Sequence, residues 1–492
     1  MAKDLRTFLE QVKQVEDSGG FKEAGYQRID RPVKPYLEVQ VIQQKLARAG
    51  RYPVIYCDRV EGSDLPLASN LWGSWETLGL AVGADPAKWS ERGLFWEYEE
   101  KLHRRRPTKL VPRSRAPVKE VVLSGEDVDL GLLPIPQHAV PQGGKYITAG
   151  CMICKDPDTG IQNVGVYRHQ VQGKDFLGCM INPGRDGAYI AFRHAELGRP
   201  MEVAIFLGHH PAVGTACCAH GSLGKFSELE VAGGFLGEPL EVVKGETVDL
   251  EVPARAELVI EGVIDEPRET STDGPFPELN NYGRGGKPVY VMRVTAITMR
   301  KDAIYHDLDP SHREHRMMGG NLNLNQIYGA VKEVVPTVRE VRRAFGMVWV
   351  RIKKRVEGEG KRAALAALHG EFNVHIAVAV DEDINLWNES DLGLAMSQRL
   401  VADRGIVMIP RILGSHLNPT SYNENRDPGI EMGPMATKLL IDATRPLHQP
   451  WHTRITPQNA YEGLWETLKL EDYGIPVDAQ KAEARPGAFP VL

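Results

Sequence analysis

The chain has 492 residues, 42% hydrophobic and 25% charged, the balance of a globular protein too long for one core. Its 59 basic side chains against 65 acidic ones give a formal charge of −6, so no global field draws it to nucleic acid or a membrane surface. No apolar run is long enough to span a bilayer, and charges occupy the first residues where a leader would be apolar; a cytoplasmic location is expected.

In chain order, Leu5, Phe8, Leu9 and Val12 fall at helical spacing and predict an amphipathic helix over 4–16. Tyr52–Cys57 reads as a strand and 73–106 as helices. The basic, proline-containing stretch Arg104–Pro117 reads as a linker. From about 118 to 310 short apolar runs alternate with Gly and Pro, which predicts a β-rich, barrel-like domain. Helical period returns over Ile327–Arg343, broken at Pro336, and over Lys361–Leu368. Strands are expected at Phe345–Ile352, Val374–Val380 and Gly405–Ile409, so this part is α/β. The expected domains are a helical and mixed region 1–110, the β-rich domain 111–320, the α/β domain 321–450, and a mixed, partly irregular tail 451–492.

Six cysteines, Cys57, Cys151, Cys154, Cys179, Cys217 and Cys218, read as small buried hydrophobes in a reducing compartment. Cys151-Met-Ile-Cys154 lacks the second pair that a metal knuckle needs.

The most informative segment is Thr272-Asp273-Gly274-Pro275-Phe276-Pro277-Glu278-Leu279. Proline fixes φ and restricts the residue before it, so the segment reads as a stiff irregular loop holding two acids apart. Such a pair can divide labour, one acid ionised and the other carrying a proton. Other polar groups stand at turns beside apolar runs. Gln162-Asn163-Val-Gly-Val-Tyr-Arg168 sets an amide and a guanidinium five residues apart. Asn182-Pro-Gly-Arg185-Asp186 is a turn with a cation and an acid. Ser227 can cap a helix whose first turn holds Glu228 and Glu230. Gly433-Pro-Met-Ala-Thr-Lys438 puts a lysine after a glycine turn.

Together, from about residue 110 to 446, these motifs resemble in order and spacing the UbiD family of reversible decarboxylases that use prenylated FMN. The resemblance implies an α/β (α+β) fold with a split-barrel-like flavin-binding domain and a C-terminal α/β domain used for dimerisation. It implies a divalent metal, Mn²⁺ or Mg²⁺, held by Asn163, Asp186 and Glu228 beside the cofactor phosphate, with Asp186 standing where the family has histidine. Oxygen ligands suit either ion; His194, nearby in sequence, is a possible substitute ligand. Arg168, Arg185 and Lys438 would complete the cofactor contacts, and a K⁺ ion is expected near the same phosphate. The catalytic trio would be Arg168, Asp273 and Glu278, with aspartate at 273 where glutamate is commoner.

The implied chemistry is non-oxidative, reversible loss of CO₂ from an aromatic, heteroaromatic or α,β-unsaturated carboxylic acid through a covalent adduct with the cofactor, which acts as electron sink. Glu278 is assigned as proton donor, and Asp273 as the acid that orients Arg168. His312, His315 and Arg316, in the dense block from His306 to Gly319, are candidates for the substrate pocket. Cys217-Cys218-Ala219-His220 would line the flavin. Expected partners are the acid, CO₂ and a flavin prenyltransferase as cofactor supplier, in a homodimer or an assembly of dimers. Alternatives are a polyprenyl-hydroxybenzoate decarboxylase, a non-catalytic flavin- or metal-binding subunit, and a metal-dependent hydrolase.

Overall fold

The computed structural model describes residues 3–219, 223–266, 270–278, 283–284, 286–371, 373–415, 418, 420–421, 434–448 and 463–475. Leu279, His220, Gly433 and most of the tail lie outside them. Two compact units partition the chain: residues 1–325 with 416–419, and residues 326–415 with 420–492.

The first unit opens with α1 (Leu5–Asp17), which buries the four apolar residues its sequence sets on one face. A reciprocal Asp4–Thr7 capping box starts it. β1 (Tyr26–Ile29), α2 (Glu38–Arg48), β2 (Val54–Cys57) and β3 (Leu67–Ser69) follow, then α3 (Trp75–Ala81) and α4 (Glu91–Leu102). The presumed linker is partly structured: within it β4 (Lys109–Leu110) joins a three-stranded sheet, because its backbone finds a partner in Glu241–Val242.

The middle of the chain supplies β5 (Val121–Ser124), β6 (Tyr146–Ile147), β7 (Cys151–Lys155), β8 (Gln162–Val166), β9 (Arg168–Val171) and β10 (Phe176–Met180). After α5 (Asp186–Glu196) come β11 (Met201–Leu207), α6 (Pro211–Ala216), α7 (Glu228–Leu236), β12 (Glu241–Lys244), β13 (Glu251–Pro253) and β14 (Leu258–Ile264). Then follow β15 (Thr270–Asp273), β16 (Phe276–Pro277), β17 (Gly283–Arg284), β18 (Lys287–Met299) and β19 (Tyr305–His306).

Ten of these strands form one half-barrel sheet along the path β6-β9-β10-β18-β14-β11-β7-β8, with β5 and β15 also pairing with β18. Both faces are buried, so the strands read as continuous apolar runs whose residues sort alternately. On β11, Val203, Ile205 and Leu207 enter one core while Ala204 and Phe206 enter the other. The same alternation sends Cys151 and Cys154 of β7 to opposite cores, which explains why their spacing makes no chelate. All six cysteines are free thiols. β19 leaves this sheet and pairs in parallel with β3, completing a four-stranded sheet with β1 and β2.

α8 (Arg313–Val334) stops before Pro336, as a proline demands. The residues beyond it do not resume a helix. Val338 and Val341 are buried in β20 (Val338–Ala344), a hairpin with β21 (Met347–Ile352). Phe345, expected in a strand, and Gly346 form its tip, both at positive φ as a two-residue hairpin turn requires. α9 (Glu359–Gly370), β22 (Ile376–Asp381), α10 (Glu389–Leu394), α11 (Ala402–Gly405), β23 (Ile406–Leu413) and β24 (Met435–Asp442) complete the second unit's five-stranded sheet, ordered β20-β21-β22-β24-β23. No helix among the described residues is long and apolar enough to cross a membrane.

Candidate active site

Arg168 is the first residue of β9, and its guanidinium divides between two acids. Nη2 donates to Asp273 Oδ2 and Nη1 donates to Glu278 Oε1. Asp273 is the last residue of β15, fully buried; Glu278 follows β16 and is also buried. Burial alone would pull the Arg168 guanidinium down, but the facing Glu278 and Asp273 carboxylates hold it above its usual range. It therefore stays charged. Phe276, between the acids in sequence, lies under the guanidinium with its ring centroid 4.5 Å from Cζ.

The acid-bearing segment is more regular than the expected irregular loop. Its first two residues end β15 and Phe276-Pro277 form β16, with the Gly274-Pro275 corner between the strands and Glu278 just after the second. Gly274 holds φ at +93°, which a side chain would strain. Gln170 stitches this corner to β9: its Nε2 donates to the Gly143 carbonyl at 2.7 Å, and its Oε1 accepts from the Gly274 amide at 3.4 Å. The Gly143 amide donates to the Pro275 carbonyl at 2.7 Å. A Cβ on Gly143 would lie 2.2 Å from the Gly274 carbonyl oxygen, so residue 143 has to be glycine for the corner to sit where it does.

A second cluster lies around the start of α7. Ser227 caps this helix, accepting from the Leu229 amide at 3.3 Å. Glu228 is wholly buried in its first turn, where the helix dipole favours negative charge. Its Oε1 accepts from Asn163 Nδ2 at 3.2 Å and its Oε2 from the Val164 amide at 2.7 Å. Asp186 opens α5, likewise at the positive end of a helix. Glu228 and Asp186 both lie within electrostatic reach of Cys154 and Tyr167. Tyr167, between the metal and catalytic motifs in sequence, packs its ring against Gly165 and sets its hydroxyl against Gly187. The sequence signal was those two glycines, each too close to the ring to carry a Cβ.

Asn163, Asp186 and Glu228 present hard oxygen donors, one amide and two carboxylates, which fit Mg²⁺ or Mn²⁺. Among the described residues no three or more His, Cys, Asp or Glu side chains are grouped so as to hold a metal ion. Arg185 sits at the N-cap of α5, with its charge reaching Tyr167 and Cys218. His194, two turns along α5, instead pairs its Nε2 with the Lys155 carbonyl at 3.2 Å.

The three pocket candidates separate. His315 pairs its Nδ1 with the Pro310 carbonyl at 2.8 Å and lies within electrostatic reach of Glu278 and Arg168. Burial lowers it below the usual histidine range, so it is neutral at pH 7. His312 belongs to a buried polar group, with Gln43 Nε2 3.0 Å from its Nδ1 and Glu314 on the same amide at 3.2 Å. Arg316 is exposed. Lys438 belongs to the second unit, buried on β24 with Nζ donating to the Leu368 carbonyl at 3.2 Å; burial lowers its ammonium.

Nearby, His138 Nε2 lies 2.8 Å from Asp307 Oδ1, which also accepts from Thr148 Oγ1 at 3.2 Å. Burial alone would pull His138 down, but Asp307 outweighs it and raises the imidazole. This pair anchors the loop 137–144 that carries Gly143, and nothing in the sequence spacing links residues so far apart.

Three family models match consecutive segments: 3-octaprenyl-4-hydroxybenzoate carboxy-lyase N-terminal domain at 22–92, Rift-related domain at 109–312 and C-terminal domain at 316–443. The chain is 32% identical to anhydromevalonate phosphate decarboxylase of Methanothermobacter thermautotrophicus over 406 residues, 80% of this chain and 89% of that one. It is also 32% identical to the protein of the same name from Methanosarcina mazei, over 86% of this chain and 96% of that one. Among solved structures, the UbiD-class enzyme HmfF from Pelotomaculum thermopropionicum in complex with FMN matches with TM-score 0.77 and 34% identity, over 96% of this chain and all of that one. Vanillic acid decarboxylase of Sedimentibacter hydroxybenzoicus in closed form matches with TM-score 0.84 and 26% identity, over 97% and 100%. The chain belongs to the UbiD family of decarboxylases.

Proposed function

We propose that the protein carries prenylated FMN with a Mn²⁺ or Mg²⁺ ion and decarboxylates an aromatic, heteroaromatic or α,β-unsaturated acid, reversibly. The observation that carries this reading is the Arg168 guanidinium shared by Asp273 and Glu278. Bound prenylated FMN supplies the electron sink that loss of CO₂ from an sp² carbon needs. Asn163, Asp186 and Glu228 would hold the metal, and Arg185 would face the phosphate.

The chain's own residues do the rest. Arg168 is a fixed cation for the substrate carboxylate before it leaves, held in place by Asp273. Glu278, with one oxygen on Arg168, supplies the proton that replaces CO₂ on carbon. In the carboxylation direction the same group takes that proton back. Buried Phe276 and Tyr146 keep water from this side of the trio. His315, neutral and within electrostatic reach of Glu278 and Arg168, would line the substrate pocket.

Substrates named in the relatives, anhydromevalonate phosphate and vanillic acid, differ from each other, so the acid has to be found by screening. The test is co-production with a flavin prenyltransferase, visible spectra of the purified protein, and a CO₂-release screen over both acid types. Bound flavin and CO₂ release that Glu278→Gln lowers by about 10²–10⁴-fold are expected. A protein that takes up no flavin overturns the reading.

A further inference from the structure

A guanidinium between two carboxylates does not by itself say which acid keeps the proton. The two acids differ in a contact that the trio does not include. Tyr146, on β6, pairs with Gln170 of β9, so its side chain is the diagonal same-face neighbour of Arg168. Its hydroxyl donates to Asp273 Oδ1 at 3.0 Å, while Arg168 occupies Oδ2. Both Asp273 oxygens are thus engaged by donors. No described residue other than Arg168 donates to Glu278.

The Tyr146 ring is completely buried and lies 4.7 Å from the Phe276 ring, so the hydroxyl has a fixed aim. Burial first, and the Asp273 charge second, push the phenol far above its usual range. It therefore remains a donor at every working pH. A neutral donor aimed at one carboxylate of a coupled pair stabilises the charge on that one and leaves the shared proton to the other.

We propose that Tyr146 is a positioning residue that holds the negative charge on Asp273 and so leaves the transferable proton on Glu278. This rests on the reading of Glu278 as proton donor. The charged and titratable groups shown to reach the pair are Arg168 from β9, Tyr146 from β6 and His315 from α8; His315 is neutral, so the bias comes from Tyr146.

The experiment is infrared spectroscopy of the full-length flavin-loaded protein across a pH series, with ¹³C-carboxyl aspartate separating Asp from Glu. D273N and E278Q subtractions assign the protonated-carboxyl bands. In the wild type the Glu278 band is expected to persist to higher pH than the Asp273 band. In Tyr146→Phe the Asp273 band is expected to emerge about one pH unit higher, the loss of one hydrogen bond to a charged group. Site-specific 3-fluorotyrosine at 146, which keeps the hydroxyl and strengthens it as a donor, is expected to move that band the opposite way, and it serves if the phenylalanine variant does not fold. A Glu278 band present in the wild type, with an Asp273 band that neither change moves, overturns the inference alone; a lower melting temperature without a band shift counts the same way. Absence of a protonated Glu278 band at any pH where the enzyme releases CO₂ overturns the donor reading, and this inference falls with it.

Discussion

Arg168 divides its two arms between acids on either side of a corner, and a lysine has only a single point charge to offer. Arg168→Lys is therefore expected to lower kcat/KM by at least about 100-fold, measured as CO₂ release per bound flavin, with visible spectra giving the flavin content of the same preparation. At this scale the sequence was informative because the acids and the arginine sit in short motifs with fixed spacing. Tyr146 was not legible. Its claim on Asp273 depends on β6 lying beside β9, and no local pattern joins residues 146 and 273. The same holds for His138 and Asp307, which meet only because the chain returns.

Among elements, the strands on the barrel were readable from apolar runs, and Pro336 marked the end of α8. The stretch after Pro336 was misread because Val338 and Val341 suit a helical period over a short window as well as a strand with one irregular step. The corner at Gly274-Pro275 is held from outside by the loop that carries Gly143. Gly143→Ala would drive a methyl into the Gly274 carbonyl, so the corner and both acids must shift. We expect this variant to keep its far-ultraviolet circular dichroism, lose about 1–3 kcal/mol in chemical denaturation, and lose most of its CO₂ release. Unchanged activity would mean that the corner's position does not matter to the acids.

At the scale of the whole molecule, stability carries a pH signature from Glu314. Burial pushes its carboxyl up to about 8, although the Gln43 amide and the Trp72 amide donate to it. The folded protein thus keeps a proton that the unfolded chain releases from about pH 4.5 upward. The stability from this group is fully present below that pH and is lost as pH rises through 8. Glu314→Gln, which cannot ionise, is expected to flatten the fall in stability between pH 5 and pH 8 by an amount on the order of a few kcal/mol. Urea midpoints of the two proteins at both pH values measure it; parallel losses would remove Glu314 as the cause.

The strand β19 carries a consequence of another kind. It closes the sheet begun by β1, β2 and β3, yet the ribosome reaches it only after all of the half-barrel has been made. At translation speeds of about 5–20 residues per second, the free edge of β3 would wait roughly 10–50 seconds for its neighbour. An N-terminal fragment ended before Tyr305 would keep that edge bare and offer it to other chains. The nascent polypeptide therefore has a long interval of exposure, and expression yield should respond to codon usage and chaperones between residues 70 and 305 more than elsewhere in the chain.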